Sequence, residues 1–308
     1  MYAVTGITGK VGGSLARSLL TAGEQVRAIV RDFNKAKEWS ALGCEIVVAD
    51  MQNSAALASA FTGATAVFIL PPSEFDPAPG YPEARAVIHS VTQALSVAGP
   101  RRVLCLSTIG ADAPQDNLLS QRTLMESALA TLPIPLTILR PAWFIDNAAW
   151  DVPSARDAGL IHSFLQPTDK AIAMVAAKDV GRVAAKLIRE DHRGIRIVEL
   201  EGPRRISPND LAEVFATVMG KPVRAVAVPR ETWEGLFLSQ GMRHPHARMR
   251  MLDGFNEGWI AFQIDGGEPI KGRTDAIEVV ASLVASAEEQ SLPSDSRGVP
   301  RVQRLSTR

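Results

Sequence analysis

Residues Thr5 to Gly12 read TGITGKVG, directly after the apolar start Tyr2-Ala3-Val4 and directly before the amphipathic run Ser14-Leu15-Ala16-Arg17-Ser18-Leu19-Leu20. That order is strand, glycine loop, helix. Such a junction suits an anion, because glycines permit a tight turn and close backbone approach while the free N–H groups and dipole of the helix start face the ligand. Gly6, Gly9 and Gly12 supply the glycine positions, and Thr8, Lys10 and Val11 are the loop's other candidate contacts to a pyrophosphate. The spacing is Gly-x-x-Gly-x-x-Gly rather than the commoner Gly-x-Gly-x-x-Gly. The flanking strand and helix therefore carry the reading, since a tight β–α turn without a ligand also needs glycine.

The rest of the first half repeats the unit. Strands are expected at Gln25 to Val30, Glu45 to Ala49, Ala64 to Leu70, Arg102 to Leu106 and Leu136 to Leu139, with helices at Asn34 to Leu42, Ala55 to Phe61, Glu83 to Ala98 and Leu118 to Thr131. Strands alternating with helices imply a parallel sheet with right-handed crossovers, hence a doubly wound α/β (Rossmann) domain. It is expected over residues 1–148, its strand series closing at Arg140-Pro141, where proline cannot donate to a ladder.

Beyond that point the alternation weakens. A strand at Ala171 to Val175, a helix at Val180 to Arg189, a strand at Ile195 to Leu200, a helix at Ser207 to Met219 and a strand at Val223 to Val228 come first. Helices at Glu231 to Gln240, Ala247 to Trp259 and Asp275 to Glu289 follow. Residues 149–290 are read mainly as a smaller α+β substrate domain covering the cleft, with segments returning to the Rossmann core. Residues 291–308 are polar, proline-interrupted and aperiodic, and are expected to be a disordered tail.

Among the 308 residues, 33 Lys plus Arg balance 33 Asp plus Glu, which removes any argument from overall charge for a nucleic-acid or anionic-membrane surface. Cys44 and Cys105 sit in apolar strand contexts with no metal or disulfide spacing and read as small buried hydrophobes. No apolar run reaches membrane-spanning length and no basic leader precedes the first strand, so a cytoplasmic location is expected.

The second strand ends in Arg31-Asp32, where dinucleotide folds choose their cofactor: an acid accepts the ribose hydroxyls of NAD, an arginine pairs with the 2′-phosphate of NADP. Arg31 argues for NADP(H) over NAD(H), and Lys35 stands near as a second cation. At the end of the third strand Asp50 is placed to accept from an adenine amino group and Met51 to pack on the ring, although an Asp that only caps the next helix fits equally. Leu70, Pro71 and Pro72 form a stiff exit from the fourth strand that would wall the adenosine or ribose. His244-Pro245-His246 lacks companions at ligand spacing, so no metal site is expected; His162 is a candidate to border the cleft.

Together TGITGKVG, VRAIVRD, the VVAD strand end, LSTIGAD, the Glu126 helix followed by LTILRPAWFIDN, the AKDVGRVAA helix start and LDGFNEGWIAF resemble the NmrA-like family of atypical short-chain dehydrogenase/reductases. The resemblance covers nearly the whole chain apart from the tail, and is greatest to bacterial NAD(P)H-dependent quinone or azo-compound oxidoreductase-like members. It implies an NADP-binding Rossmann domain, a small C-terminal substrate domain and a cleft between them. Ala142, Trp143 and Phe144 match the family's segment beside the nicotinamide; Trp143, Phe144, Asn147 and Trp150 would face the substrate, where rings suit a flat acceptor, a core role between the two domains being the alternative.

The departure is catalytic. Typical short-chain dehydrogenases carry Tyr-x-x-x-Lys, in which the tyrosine protonates the carbonyl. This chain has only Tyr2 and Tyr81, neither on the helix after the fifth strand. Arg122 stands four residues before Glu126, where the family often carries Lys or His; it is a candidate to hold the cofactor ribose, while an ordinary surface pair with Glu126 is the alternative. Ser107, at the end of the fifth strand, is a candidate to orient substrate or a plain strand-end cap. Two functions remain: an NADPH-dependent oxidoreductase acting on a small flat electron acceptor such as a quinone, and a catalytically silent NADP(H)-binding redox sensor. A homodimer and a regulatory protein partner both stay open.

Overall fold

The computed structural model describes residues 1–262 and 268–291. Among them, eight strands form one parallel sheet: β1 (Tyr2–Thr5), β2 (Val26–Val30), β3 (Glu45–Val48), β4 (Ala66–Ile69), β5 (Arg102–Leu106), β6 (Leu136–Pro141), β10 (Ile195–Glu201) and β12 (Ile270–Lys271). Two short parallel pairs stand outside it, β7 (Trp143–Phe144) with β9 (Met174–Val175) and β8 (Leu160–Ser163) with β11 (Arg224–Ala227). The sheet order is β12-β10-β6-β5-β4-β1-β2-β3. The winding therefore reverses between β1 and β4, which opens a crevice beyond their carboxyl ends, and the glycine loop follows β1 at that point.

The central strands are mostly apolar because both faces are covered: every residue of β1, β4 and β5 is buried, the polar Thr5 and Arg102 at their ends included. Alternate side chains serve two cores. Tyr2, Val4, Phe68 and Leu104 pack on the side of α1 (Lys10–Thr21) and α7 (Ala177–Leu187), while Ala3, Val67, Ile69 and Val103 meet α3 (Ser54–Phe61), α4 (Pro82–Ala98) and α5 (Ser120–Leu129). Helices α1 and α7 lie so close that a Cβ on Gly181 would come within 2.4 Å of the Ser14 Cβ. This contact fixes the helix that carries the glycine loop.

The strand series does not close at Pro141. Although Pro141 has no N–H, Ala142 donates to Leu200 C=O at 2.8 Å, and β10 pairs with β6 along its whole length. Strand β12 then adds beside β10. Its connection is clasped by Asp179 of α7, which accepts from Arg273 N–H, Thr274 N–H and Thr274 Oγ1 at 2.7 to 2.8 Å. A Cβ on Gly272 would stand 2.6 Å from that carboxylate.

The segments between these returning strands hold α6 (Val152–Ala158), α8 (Pro208–Met219), α9 (Trp233–Ser239) and α10 (His246–Glu257), packed on Phe215, Trp233 and Phe237. Helix α8 starts with a capping box between Ser207 and Asp210. The strand expected at Ala171 to Val175 shortens to β9, and the helix expected from Asn34 begins as a 3₁₀ turn capped by Asp32, followed by α2 (Lys37–Ala41). Helix α11 (Ala276–Ser291) includes Ser291, the first residue of the expected tail; 292–308 lie outside the described residues. No described helix is long and apolar enough to cross a membrane.

Candidate functional site

The glycine loop is shaped by its own backbone. Gly6 has φ +66° and a Cβ there would lie 3.2 Å from the Leu70 side chain, so the loop is pressed against the exit of β4. A Cβ on Gly12 would stand 2.3 Å from Gly6 C=O, which bars any side chain from the third glycine position. Helix α1 has no side-chain cap and no acid in its first turn. Its first turn of N–H groups, at Lys10, Val11 and Gly12, therefore carries the positive end of the dipole with no side-chain cap among the described residues. A pyrophosphate fits this cradle.

Around the loop, Lys10 Nζ pairs with Asp146 at 2.8 Å, and the same carboxylate accepts Ala177 N–H at the start of α7. Thr8 is exposed on the loop and Val11 is buried beneath it. At the end of β2, Asp32 is taken up by Asn34 N–H, whereas the exposed side chains of Arg31 and Lys35 have no partner among the described residues. Asp50 accepts Gln52 N–H with one oxygen, and Met51 is packed in the core beside α3. Leu70 N–H donates to Thr5 Oγ1; Pro71 is buried and Pro72 exposed.

On the opposite side, the structure separates the expected pair of Arg122 and Glu126. Glu126 turns inward and receives the guanidinium of Arg140 through two bonds of 3.0 and 2.7 Å, the Ser107 hydroxyl donates to it, and Arg140 reaches Asp112 at 2.7 Å. This buried network consumes Ser107. Arg122 points to the β4 exit instead, donating to Pro72 C=O and Ser73 Oγ at 3.3 Å each, and burial pushes its pKa down. Beside it burial drives the Cys105 thiol up to about 12, so both cysteines are inert, free and buried.

Ala142 is buried between sheet and small part, and Trp143 meets Phe255 of α10 edge to face at 5.2 Å. Phe144 is half-buried, as is Asn147, whose side-chain amide has no partner among the described residues. Trp150, 64% exposed, touches two stretches: Phe75 on the β4 exit loop, at 6.4 Å, and the Arg248 guanidinium of α10, at 5.9 Å. Asp151, next in the chain, has a carboxyl that burial raises to about 7. His162 lies exposed on β8, and His244 gives its N–H to Asp76. Among the described residues no group of His, Cys, Asp and Glu is arranged for a metal ion.

Sequence reasoning missed Asp112, Arg140 and Asp146. A charged residue ending an otherwise apolar strand, as in Leu136-Thr137-Ile138-Leu139-Arg140, was the available signal for Arg140. Phe75 and Arg248 carried none.

The model of the NmrA-like family matches residues 2–257. The chain belongs to the NmrA-like family. This NmrA-like chain is 30% identical over 226 residues to quinone oxidoreductase 2 of Escherichia coli (strain K12), a match covering 72% of it and 76% of the relative. It is 26% identical over 250 residues to the NAD(P)H azoreductase of Xenophilus azovorans, covering 79% and 82%. In structure it superposes on the Escherichia coli NADPH-dependent quinone oxidoreductase solved with NADPH with a TM-score of 0.76, at 26% identity over 92% of this chain and 99% of that one.

Proposed function

We propose that this protein is an NADPH-dependent oxidoreductase that reduces a small flat acceptor such as a quinone. The observation that carries the reading is the uncapped first turn of α1 against the glycine cradle, with the free cations Arg31 and Lys35 one strand away. The relatives named for NAD(P)H and quinone or azo chemistry support it. Gly6, Gly9 and Gly12 would hold the pyrophosphate with Thr8, Lys10 and Val11; Arg31 would meet the 2′-phosphate, which favours NADP(H) over NAD(H). Asp50 and Met51, with Leu70, Pro71 and Pro72, would bound the adenosine.

When bound, NADPH supplies the hydride. The chain's own residues orient the acceptor and keep water from its face. Trp143 and Phe144, with Ala142 behind them, form the floor, Asn147 offers a free amide to an acceptor oxygen, and Trp150 with Phe75 shields the mouth. Ser107 and Arg122 act as positioning residues: Ser107 steadies Glu126 under the floor, and Arg122 holds the Pro72-Ser73 wall. The reduced acceptor takes its protons from water, so no tyrosine is required.

A second reading, a catalytically silent NADP(H)-binding regulator acting through a protein partner, draws on one observation: Ser107 and Arg122 are engaged by the fold. NADPH oxidation across quinones, azo dyes and aldehydes separates the two. Turnover with a quinone is expected; tight NADPH binding with no turnover for any acceptor would favour the regulator.

A further inference from the structure

Among the described residues, Arg248 is a cation without an anion. It lies in the first turn of α10, where the helix dipole disfavours positive charge and no acidic residue offsets it. Its guanidinium stands 4.6 Å from the Phe237 ring centroid and 5.9 Å from that of Trp150, and its one hydrogen bond among the described residues is to Met242 Sδ at 3.7 Å. Five N–H donors in a planar fork thus meet two rings and a thioether. Burial lowers its pKa.

Three carboxylates of the same and adjoining stretches are committed elsewhere. Asp76 accepts the N–H groups of Arg243 and His244, Asp116 accepts the Tyr81 hydroxyl, and Asp253 is shared by Arg230 and Arg250. Asp151 follows Trp150 in the chain but forms no ion pair with Arg248, and burial alone shifts each of them, Asp151 up and Arg248 down. The surroundings are also oddly apolar for a surface: Phe75 and Trp150, 51% and 64% exposed, stand edge to face beside the cation.

A single guanidinium fork matches one carboxylate, and exposed rings match a flat apolar body. A doubly charged phosphate would need more donors than these residues supply. We infer that Arg248 docks the carboxylate of a flat aromatic acid whose ring lies against Trp150, making the acceptor of this enzyme a carboxylated aromatic rather than a neutral one. The inference rests on the cleft being the acceptor site proposed above, but its test reads binding and not turnover.

The probe pair is 2-naphthoate and 2-naphthamide, equal in shape and different in charge, titrated calorimetrically into the full chain saturated with NADP⁺. The wild-type protein should favour the acid by roughly tenfold or more, the scale of a charge-assisted hydrogen bond. Arg248→Met should bring the two affinities together by weakening the acid alone. Arg248→Lys, which keeps charge and ring contact but loses the fork, should retain only part of the preference and serves if the methionine variant fails to fold. Equal wild-type affinity for acid and amide, no binding of either, or equal weakening of both by the substitutions would show that Arg248 only pins the two rings together. Loss of NADPH turnover with every acceptor would instead strike at the oxidoreductase reading and leave this ratio as measured.

Discussion

The two sides of the cleft are built by different means. The proposed phosphate side is backbone: three glycines, an uncapped helix start and, one strand on, two cations without a partner among the described residues. The proposed acceptor side is side chains gathered from stretches far apart in the chain, Phe75, Ser107, Arg122, Trp143 to Trp150 and Arg248; Ser107 and Arg122 are engaged by the fold, and Trp150 touches both Phe75 and Arg248. Backbone geometry suits a ligand part that never varies. Side chains suit one that can differ between relatives of a single fold.

The contrast can be broken most forcefully at Glu126. Glu126→Ala would leave the buried Arg140 guanidinium with Asp112 as its remaining carboxylate and the Ser107 hydroxyl without its acceptor, and should cost roughly 2–3 kcal/mol in denaturant unfolding. Near wild-type stability would mean that the acceptor side does not spend its polar groups on the fold. On the phosphate side, Gly12→Ala forces a methyl onto the Gly6 carbonyl, and a loss of roughly 1–3 kcal/mol together with weaker NADPH binding is expected by thermal shift with and without NADPH. If NADPH binding survives intact, the backbone cradle is not the phosphate site.

Asp151 sharpens the comparison through pH. Its carboxyl, raised by burial from 3.8 to about 7, holds a proton in the native state that the unfolded chain releases above pH 4. Stability should therefore fall as pH rises from about 4 to about 7 and level off beyond, and Asp151→Asn should remove that slope, leaving the variant the more stable of the two at pH 8. A slope unchanged in the variant would place the titrating group elsewhere. The smallest effect is expected for Arg31→Ala: the ratio of NADPH to NADH affinity should fall roughly tenfold, about 1.4 kcal/mol. An unchanged ratio would remove the argument for a 2′-phosphate contact.

The same division decided what could be read from the sequence. The glycine loop, the parallel strands and the capped start of α8 are local patterns in which spacing and residue type carry the physics, and the fold follows from them. The pairing of Ile195–Glu201 with β6 was harder, because a proline suggests an end and the partner strand lies more than fifty residues on. The engagement of Glu126 by Arg140 instead of Arg122 was illegible: helical spacing favours the nearer arginine, and only the packing of α5 on the sheet turns Glu126 inward. Arg248 had no local signature at all, since what marks it is the absence of an acid from residues distant in sequence.

The clasp of Asp179 on residues 272–274 bears on how the chain is made. As it leaves the ribosome, β6 is complete with one hydrogen-bonding edge bare, and its neighbour β10 emerges only after the 143–194 segment has been synthesised. The last parallel strand arrives some seventy residues later still, to be locked against a helix formed long before. A nascent chain therefore carries an unprotected strand edge through much of its synthesis. A protein shortened before Ile195 would keep that edge permanently and be prone to self-association, so the nucleotide-binding half is not a separable module even though its motif is the most local in the molecule.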